Sequence, residues 1–399
     1  MSINRLILLL LFLPFISQAQ TTTISGKVTT SVSHTGIGKV SVFLSNSSFG
    51  TETTDDGSFK LVGVKPGQYT LVATSIGYQE YTQSILVGEE AMSLNIDLQP
   101  KVTQLRGVVI SSAADWKKNF ELFKKEFIGT TKNAKKCEIT NPHTVNMIYH
   151  GRKLELEAWS DDFLIVENKA LGYRIKFLID TFSSSGISGI TQWQGQAVFQ
   201  ELPGSAEQKK IWQKKREETY YGSSRHFYKA LYTNTLGQDG FVMHILNREL
   251  NPDRPDEAII VQKIRQFRER YNRDSLAYWI GKQNMSKYYH ENLDRTPLQP
   301  YRVYQPTNHP GLYALRFTGC LYVIYTKRHE ETDFKDLYRP LDMENFETSI
   351  LTLPGQYAIF DMNGVVFQGV PLNEGTWSKA KLAELLPFNY APGDDKVPN

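Results

Sequence analysis

The sequence predicts a mainly β protein: an N-terminal seven-stranded antiparallel β-sandwich, followed by a larger α+β domain with antiparallel sheet. Three observations predict it. Residues 53–81 read TTDDGSFKLVGVKPGQYTLVATSIGYQEY, which crowds Asp55-Asp56-Gly57, Pro66-Gly67 and Ile76-Gly77-Tyr78 into one short run. Between and before those corners, apolar and polar residues alternate with period two, as a strand with one buried face requires. Beyond residue 113, strand and helix patterns follow one another without the regular β-α-β order of a parallel sheet.

Taken from the N-terminus, the first element is a leader. Arg5 precedes the apolar run LILLLLFLPFI, and Ser17-Gln18-Ala19 follows. A basic start, a short apolar stretch and small residues two apart describe a secretory signal, residues 1–19, cut after Ala19. The chain is therefore expected to be exported, to the periplasm or the outer-membrane surface. An uncleaved anchor is the alternative; the run is short for a bilayer span and Pro14 interrupts it. No cysteine follows the run to carry a lipid, and no later stretch is long and apolar enough to cross a membrane as a helix.

The sandwich occupies 22–98. Its seven strands are expected at Ile24–Thr29, Lys39–Ser45, Thr51–Thr54, Ser58–Val62, Gln68–Ser75, Tyr78–Val87 and Ser93–Leu98. Val40, Val42 and Leu44 alternate with Ser41, Phe43 and Ser45; Tyr69, Leu71 and Ala73 alternate with Thr70, Val72 and Thr74. The corners are hairpin chemistry: glycine takes positive φ without a Cβ clash, and proline presets its own φ. Asp55-Asp56 suits such a turn through local hydrogen bonds, and calcium is the other reading of that pair.

These residues resemble the carboxypeptidase-regulatory-like, or prealbumin-like, domain. The likeness is carried by Ile24-Ser25-Gly26-Lys27-Val28, Gly38-Lys39-Val40-Ser41-Val42, Thr54-Asp55-Asp56-Gly57-Ser58-Phe59, Pro66-Gly67-Gln68-Tyr69-Thr70-Leu71 and Ile76-Gly77-Tyr78. The resemblance implies a small sandwich that serves as an accessory module. It implies no peptidase, because fold alone does not fix function. Zinc carboxypeptidases hold their metal with His-x-x-Glu and a distant His, and none of the eight histidines here has Glu three residues on.

A connector spans 99–112, with one more strand at Gly107–Ser111. The larger domain runs 113–390. Ser112-Ala113-Ala114-Asp115 has the shape of a capping box, and Trp116, Phe120, Phe123 and Phe127 form one helical face ended by Gly129. Strands are expected at Thr144–Tyr149, Lys153–Trp159, Phe163–Glu167, Tyr173–Asp180 and Ile190–Gln200. A helix capped at Ser205 runs to about Glu218, and a second, capped at Ser223 or Ser224, covers Arg225–Thr233. A third spans Asp256–Tyr271 after Asn251-Pro252-Asp253-Arg254-Pro255, where the domain could be subdivided. Strands return at Leu312–Phe317, Cys320–Tyr325, Ser349–Leu353, Tyr357–Asp361 and Val365–Val370, before a helix at Thr376–Leu386. Cys137-Glu138-Ile139-Thr140-Asn141-Pro142, Leu171-Gly172-Tyr173, Gly222-Ser223-Ser224-Arg225-His226-Phe227 and Leu385-Leu386-Pro387-Phe388-Asn389-Tyr390 resemble uncharacterised secreted proteins of Gram-negative envelopes. That likeness implies location and architecture, and no activity.

For function, the composition mainly excludes. Hydrophobic residues make up 40% and charged residues 22%, which suits a globular chain. With 45 basic and 42 acidic residues the net charge is +3, which gives no case for nucleic acid. Cys137 and Cys320 either pair in an oxidising compartment or pack as free thiols, and two cysteines are too few for a cysteine zinc site. Gly186-Ile187-Ser188-Gly189-Ile190 lacks the last glycine of a nucleophile elbow. Asp161-Asp162 follows Trp159-Ser160 and reads as a turn or, with an opposing acid, as half of a glycosidase pair. Ser224-Arg225-His226 reads as a helix start; a catalytic His226 would need an acid partner that the sequence does not identify. The sequence thus offers no catalytic, cofactor-binding or metal-ligating residue. The favoured reading is a non-enzymatic envelope protein binding another envelope protein or a glycan; the alternative is a hydrolase with an unfamiliar site in the larger domain. A pocket with converging acids or histidines would favour the hydrolase, and an aromatic platform or open sheet edge the binding protein.

Overall fold

The computed structural model describes residues 21–101 and 112–393. The expected leader and the strand expected at Gly107–Ser111 lie outside the described residues. By packing, these residues form two units: 21–42 with 51–100, and 43–50 with 101 and 112–393. Among the described residues no helix is long and apolar enough to cross a membrane.

The seven expected strands are β1 (Thr22–Thr30), β2 (Ser41–Leu44), β3 (Gly50–Glu52), β4 (Ser58–Val64), β5 (Gly67–Thr74), β6 (Tyr81–Val87) and β7 (Met92–Leu98), all in the first unit except Phe43, Leu44 and Gly50, which fall in the second. They form two sheets, ordered β4-β1-β7 and β3-β2-β5-β6. Pairing is antiparallel for β1 with β4 and β5 with β6, while β1 and β7 run parallel. The alternation holds in part: Ile24, Val28, Leu61, Leu71, Ile96 and Leu98 are buried as read, but so are Phe43, Ser45 and Val72, which period two turns outward, because stretches of β2 and β5 are covered on both faces. Gly57 and Gly77 both have φ of 86°. Asp56 serves its own turn, accepting from Thr54 Oγ1 at 2.6 Å and from Ser58 N and Oγ at 3.1 and 2.7 Å. Those bonds, that from Thr54 foremost, favour the ionised carboxyl and bring it down to about 2.

The second unit opens with α1 (Ala113–Ile128), whose N-cap Ser112 accepts from Asp115 N at 3.1 Å. Then come β8 (Cys137–Ile139), β9 (Val145–His150), β10 (Glu155–Ser160), β11 (Leu164–Asn168), β12 (Tyr173–Ser185) and β13 (Thr191–Glu201). They make an antiparallel sheet ordered β8-β11-β12-β10-β9, with β13 along β12. Phe123 and Phe127 of α1 pack into a core with Leu156, Phe177 and Phe182, and Leu382 and Ala383 near the C-terminus complete it.

The helices α2 (Ala206–Tyr220) and α3 (Ser224–Thr233) are capped by Ser205 and Ser223. A one-turn α4 (Leu236–Asp239) leads to β14 (Phe241–Leu250), then α5 (Glu257–Glu269) and α6 (Arg273–Asn284). The remaining strands are β15 (Tyr288–Leu293), β16 (Tyr304–Pro306), β17 (Leu312–Leu315), β18 (Cys320–His329), β19 (Phe346–Thr352), β20 (Ala358–Asp361), β21 (Val366–Gln368) and β22 (Leu372–Gly375). They build two antiparallel sheets, β15-β14-β18-β19-β22 and β16-β17-β20-β21.

Several features depart from expectation. The sequence reading has no strand at β8, β15, β16 or β22, and none at β14. Met243 faces one apolar core and Leu246 another, so both faces are covered and the alternation that marks a half-buried strand is lost. The helix expected to end at Tyr271 is followed by α6, which buries no residue and so shows no apolar stripe. The helix expected at Thr376–Leu386 is divided into α7 (Thr376–Lys379) and a 3₁₀ turn at Leu382–Glu384. Trp377 enters one core and Leu382 the other, and the division lets each reach its own. Residues 251–255 form the loop between β14 and α5. Cys137 and Cys320 are free and buried.

Candidate functional site

The residues that the sequence singles out for chemistry are placed in structural roles. His226, on the first turn of α3, is buried under Tyr220, Tyr221, Phe241 and Tyr325. Its Nδ1 accepts the Gly222 N–H at 3.1 Å, so the ring proton belongs on Nε2, which lies 3.6 Å from Asp239 Oδ1. Asp239 on α4 is the acid partner the sequence reading does not find. Burial still dominates and lowers the His226 pKa to about 4, against the opposing pull of Asp239. Both ring nitrogens are committed, which leaves none to take a proton from a substrate. Beside it, Arg225 donates to the Pro387 carbonyl at 2.7 Å and to those of Asn363 and Tyr390. The Ser-Arg-His run therefore starts a helix and ties down the C-terminal segment.

Asp161 and Asp162 form the exposed turn between β10 and β11, where Asp162 accepts from Phe163 N at 2.6 Å. Among the described residues no group of three or more His, Cys, Asp or Glu side chains converges as a metal site would.

The second unit has a groove of about 920 Å³ beside β16 and β17. Its floor follows from strand periodicity. Tyr304 pairs with Leu315 and Gln305 with Ala314, and Arg316 N bonds the Val303 carbonyl at 2.7 Å. Tyr304, Tyr313 and Leu315 turn to the core. Gln305, Ala314 and Arg316, at the alternate positions, turn to the groove, while Val303, which also borders it, is buried in the core. The small Ala314 side chain deepens the floor. From β20's approach comes Tyr357, and from the 299–303 turn come Tyr301 and Arg302.

The other wall is Ile245 and Asn247 of β14, with Asp294, Thr296 and Gln299 from the segment after β15. Asp294 is the one acidic residue in the lining, and no histidine joins it. Its carboxylate accepts from Thr296 N at 2.9 Å, a bond that lowers its pKa. Tyr301 is 70% exposed and Tyr357 46%. The arrangement thus offers aromatic faces, amides, hydroxyls and two guanidiniums. A smaller cavity of about 270 Å³ lies on the opposite face of β14, between His244, Tyr322 and Met343.

The sequence signal for the floor is visible in Leu312-Tyr313-Ala314-Leu315-Arg316, but it reads as an ordinary half-buried strand. Nothing in it ties Arg316 to Asn247 or Tyr301.

Among curated proteins, none matches the chain. Solved structures give distant likenesses. One is a type II cohesin–X-dockerin complex of Acetivibrio cellulolyticus, at 19% identity over 25% of this chain and 71% of that one, with a TM-score of 0.20. Another is a candidate carbohydrate-binding protein of Bacteroides uniformis, at 7% identity over 45% of this chain and 99% of that one, with a TM-score of 0.18. A third is a candidate membrane-associated protein of unknown function from Bacteroides fragilis, at 10% identity over 88% and 98%, with a TM-score of 0.17. At such TM-scores these likenesses carry no functional weight. The first unit stands differently: residues 24–110 match the family model of the CarboxypepD_reg-like domain.

Proposed function

We propose that the protein is a non-enzymatic binding protein of the cell envelope, and that its second unit holds a glycan chain in the groove beside β16 and β17. The observation that carries this reading is the lining, in which Tyr301 and Tyr357 stand with Asn247, Gln299, Gln305 and Thr296. A sugar ring has C–H groups on its faces and hydroxyls at its rim, and tyrosine with neighbouring amides complements both. Glycoside hydrolysis of the usual kind needs two carboxyl groups flanking the bond, whereas this groove has Asp294 alone. An extended peptide adding to the sheet edge is disfavoured at β16, which has three residues and ends in Pro306, without an N–H to give.

In this reading the CarboxypepD_reg-like unit is an accessory module. Export rests on Arg5, the apolar run and Ser17-Gln18-Ala19. Intact Met1 on cytosolic protein, seen by N-terminal sequencing after fractionation, would refute export. For the groove, purified protein is titrated calorimetrically with soluble bacterial and plant polysaccharides. Binding is expected, and Ala314→Trp, which fills the floor, should abolish it at unchanged melting temperature. Failure of every glycan to bind, or full binding by A314W, would refute the assignment.

A further inference from the structure

Resting on the glycan reading, we infer that the groove selects acidic glycans, and that Arg302 and Arg316 read the negative groups on the sugar. Both guanidiniums line the groove and both residues are exposed. Among the described residues neither side chain makes a hydrogen bond or ion pair. The arginines that hold the fold behave otherwise. Arg216 bonds the Leu171 carbonyl at 2.8 Å and Glu201 at 2.8 Å, and Arg248 bonds Glu374 through both terminal nitrogens at 2.6 and 3.2 Å.

Arg302 and Arg316 reach the groove from different sources. Arg316 is placed by the alternation along β17, one residue beyond the buried Leu315. Arg302 sits in the 3₁₀ turn Pro300–Arg302 that leads into β16. Val303, which follows it, pairs with Arg316 through the bond from Arg316 N, so the two arginines flank one end of the floor. Each carries five N–H donors in a planar fork that matches a carboxylate or sulfate bidentately. Asp294 is the one opposing charge in the lining, and one of its carboxylate oxygens is occupied by Thr296 N. The groove therefore carries a local excess of positive charge on a chain whose net charge is only +3, so selection acts at contact rather than by long-range steering.

Such a groove discriminates by charge on an otherwise equal chain. A charge-assisted bidentate contact is expected to change affinity by about tenfold or more per arginine. The test uses the full chain with polygalacturonate, alginate and hyaluronate, each against its own carboxyl-methyl ester, and with dextran sulfate against dextran. The expected result is at least about tenfold tighter binding of one or more acidic forms than of the matched neutral form, weakening with added salt. In Arg302→Gln/Arg316→Gln the ratio of acidic to matched neutral affinity should fall to about one. Both sites are exposed, so the variant should fold, which its melting temperature checks. Equal binding of acidic and neutral forms, or an undiminished preference in the double variant, overturns the acidic selectivity and leaves the glycan reading standing. Binding of no glycan in either form overturns both.

Discussion

Replacing Gly172 by alanine tests the packing of the second unit most directly. Gly172 precedes β12 with φ of 71°, in the left-handed region. An added Cβ would lie 2.2 Å from Trp212 Cδ2 and 2.4 Å from Cε3. Trp212 cannot easily yield: it is buried, and its Nε1 donates to the Lys169 carbonyl at 3.1 Å. Two costs add. The left-handed backbone costs a Cβ-bearing residue about 1–2 kcal/mol, and overpacking a filled site costs about 1–3 kcal/mol. Gly172→Ala should thus destabilise by about 2–5 kcal/mol. Gly189 supplies the control, in the same unit, at φ of 69° with nothing within 4 Å of its Cβ. Gly189→Ala should show the backbone cost alone. Urea unfolding followed by tryptophan fluorescence and circular dichroism gives both values. A double-mutant cycle with Trp212→Ala should then reduce Gly172→Ala to the cost of Gly189→Ala. If Gly172→Ala costs no more than Gly189→Ala in the parent protein, the clash argument fails.

Two further outcomes are expected. Gly57→Ala should lower the melting temperature of the first unit more than Gly77→Ala does, although both have φ of 86°, because the Gly57 Cβ would meet the Val28 carbonyl oxygen at 2.3 Å and that of Gly77 meets nothing within 4 Å; calorimetry compares them. His226 is held neutral with a pKa lowered to about 4, so below its ordinary value of 6.5 the unfolded chain binds a proton that the folded chain refuses. Its contribution is fully present above pH 6.5 and is lost as pH falls toward 4, by up to about 3 kcal/mol. Lys229 and Lys327 act in the same sense as burial, and Asp239 against it. His226→Gln should flatten this part of the pH–stability curve measured by urea unfolding, and an unchanged slope would refute the assignment.

The sandwich was readable because its turns use glycine where φ is positive and most of its strands show a buried face, although β2 and β5 are covered on both faces at Phe43 and Val72. Ser112, Ser205 and Ser223 were readable as caps because capping is local. What escaped depends on contacts distant in sequence. β14 carries Met243 and Leu246 toward different cores, and α6 buries nothing, so neither has a one-faced pattern to find. The pairing of His226 with Asp239 joins two helices. The groove escaped for a related reason: Arg316, Asn247 and Tyr301 are ordinary surface residues until folding sets them around one hollow. Its aromatic and amide lining is what supports the proposed binding reading.

The C-terminal segment bears on the timing of folding. Leu382 and Ala383 belong to the same core as Phe123 and Phe127, and Asn168 Nδ2 donates to the Ala383 carbonyl at 2.9 Å. Thr131 and Glu384, which hydrogen-bond, are separated by 253 residues. Synthesis delivers about 5–20 residues per second, so roughly 15–50 seconds pass between the two. Until residues 382–383 are made, the core of α1 and its sheet lacks the side chains that complete it. Closure of the α1 core therefore waits on residues made well after its helix and sheet.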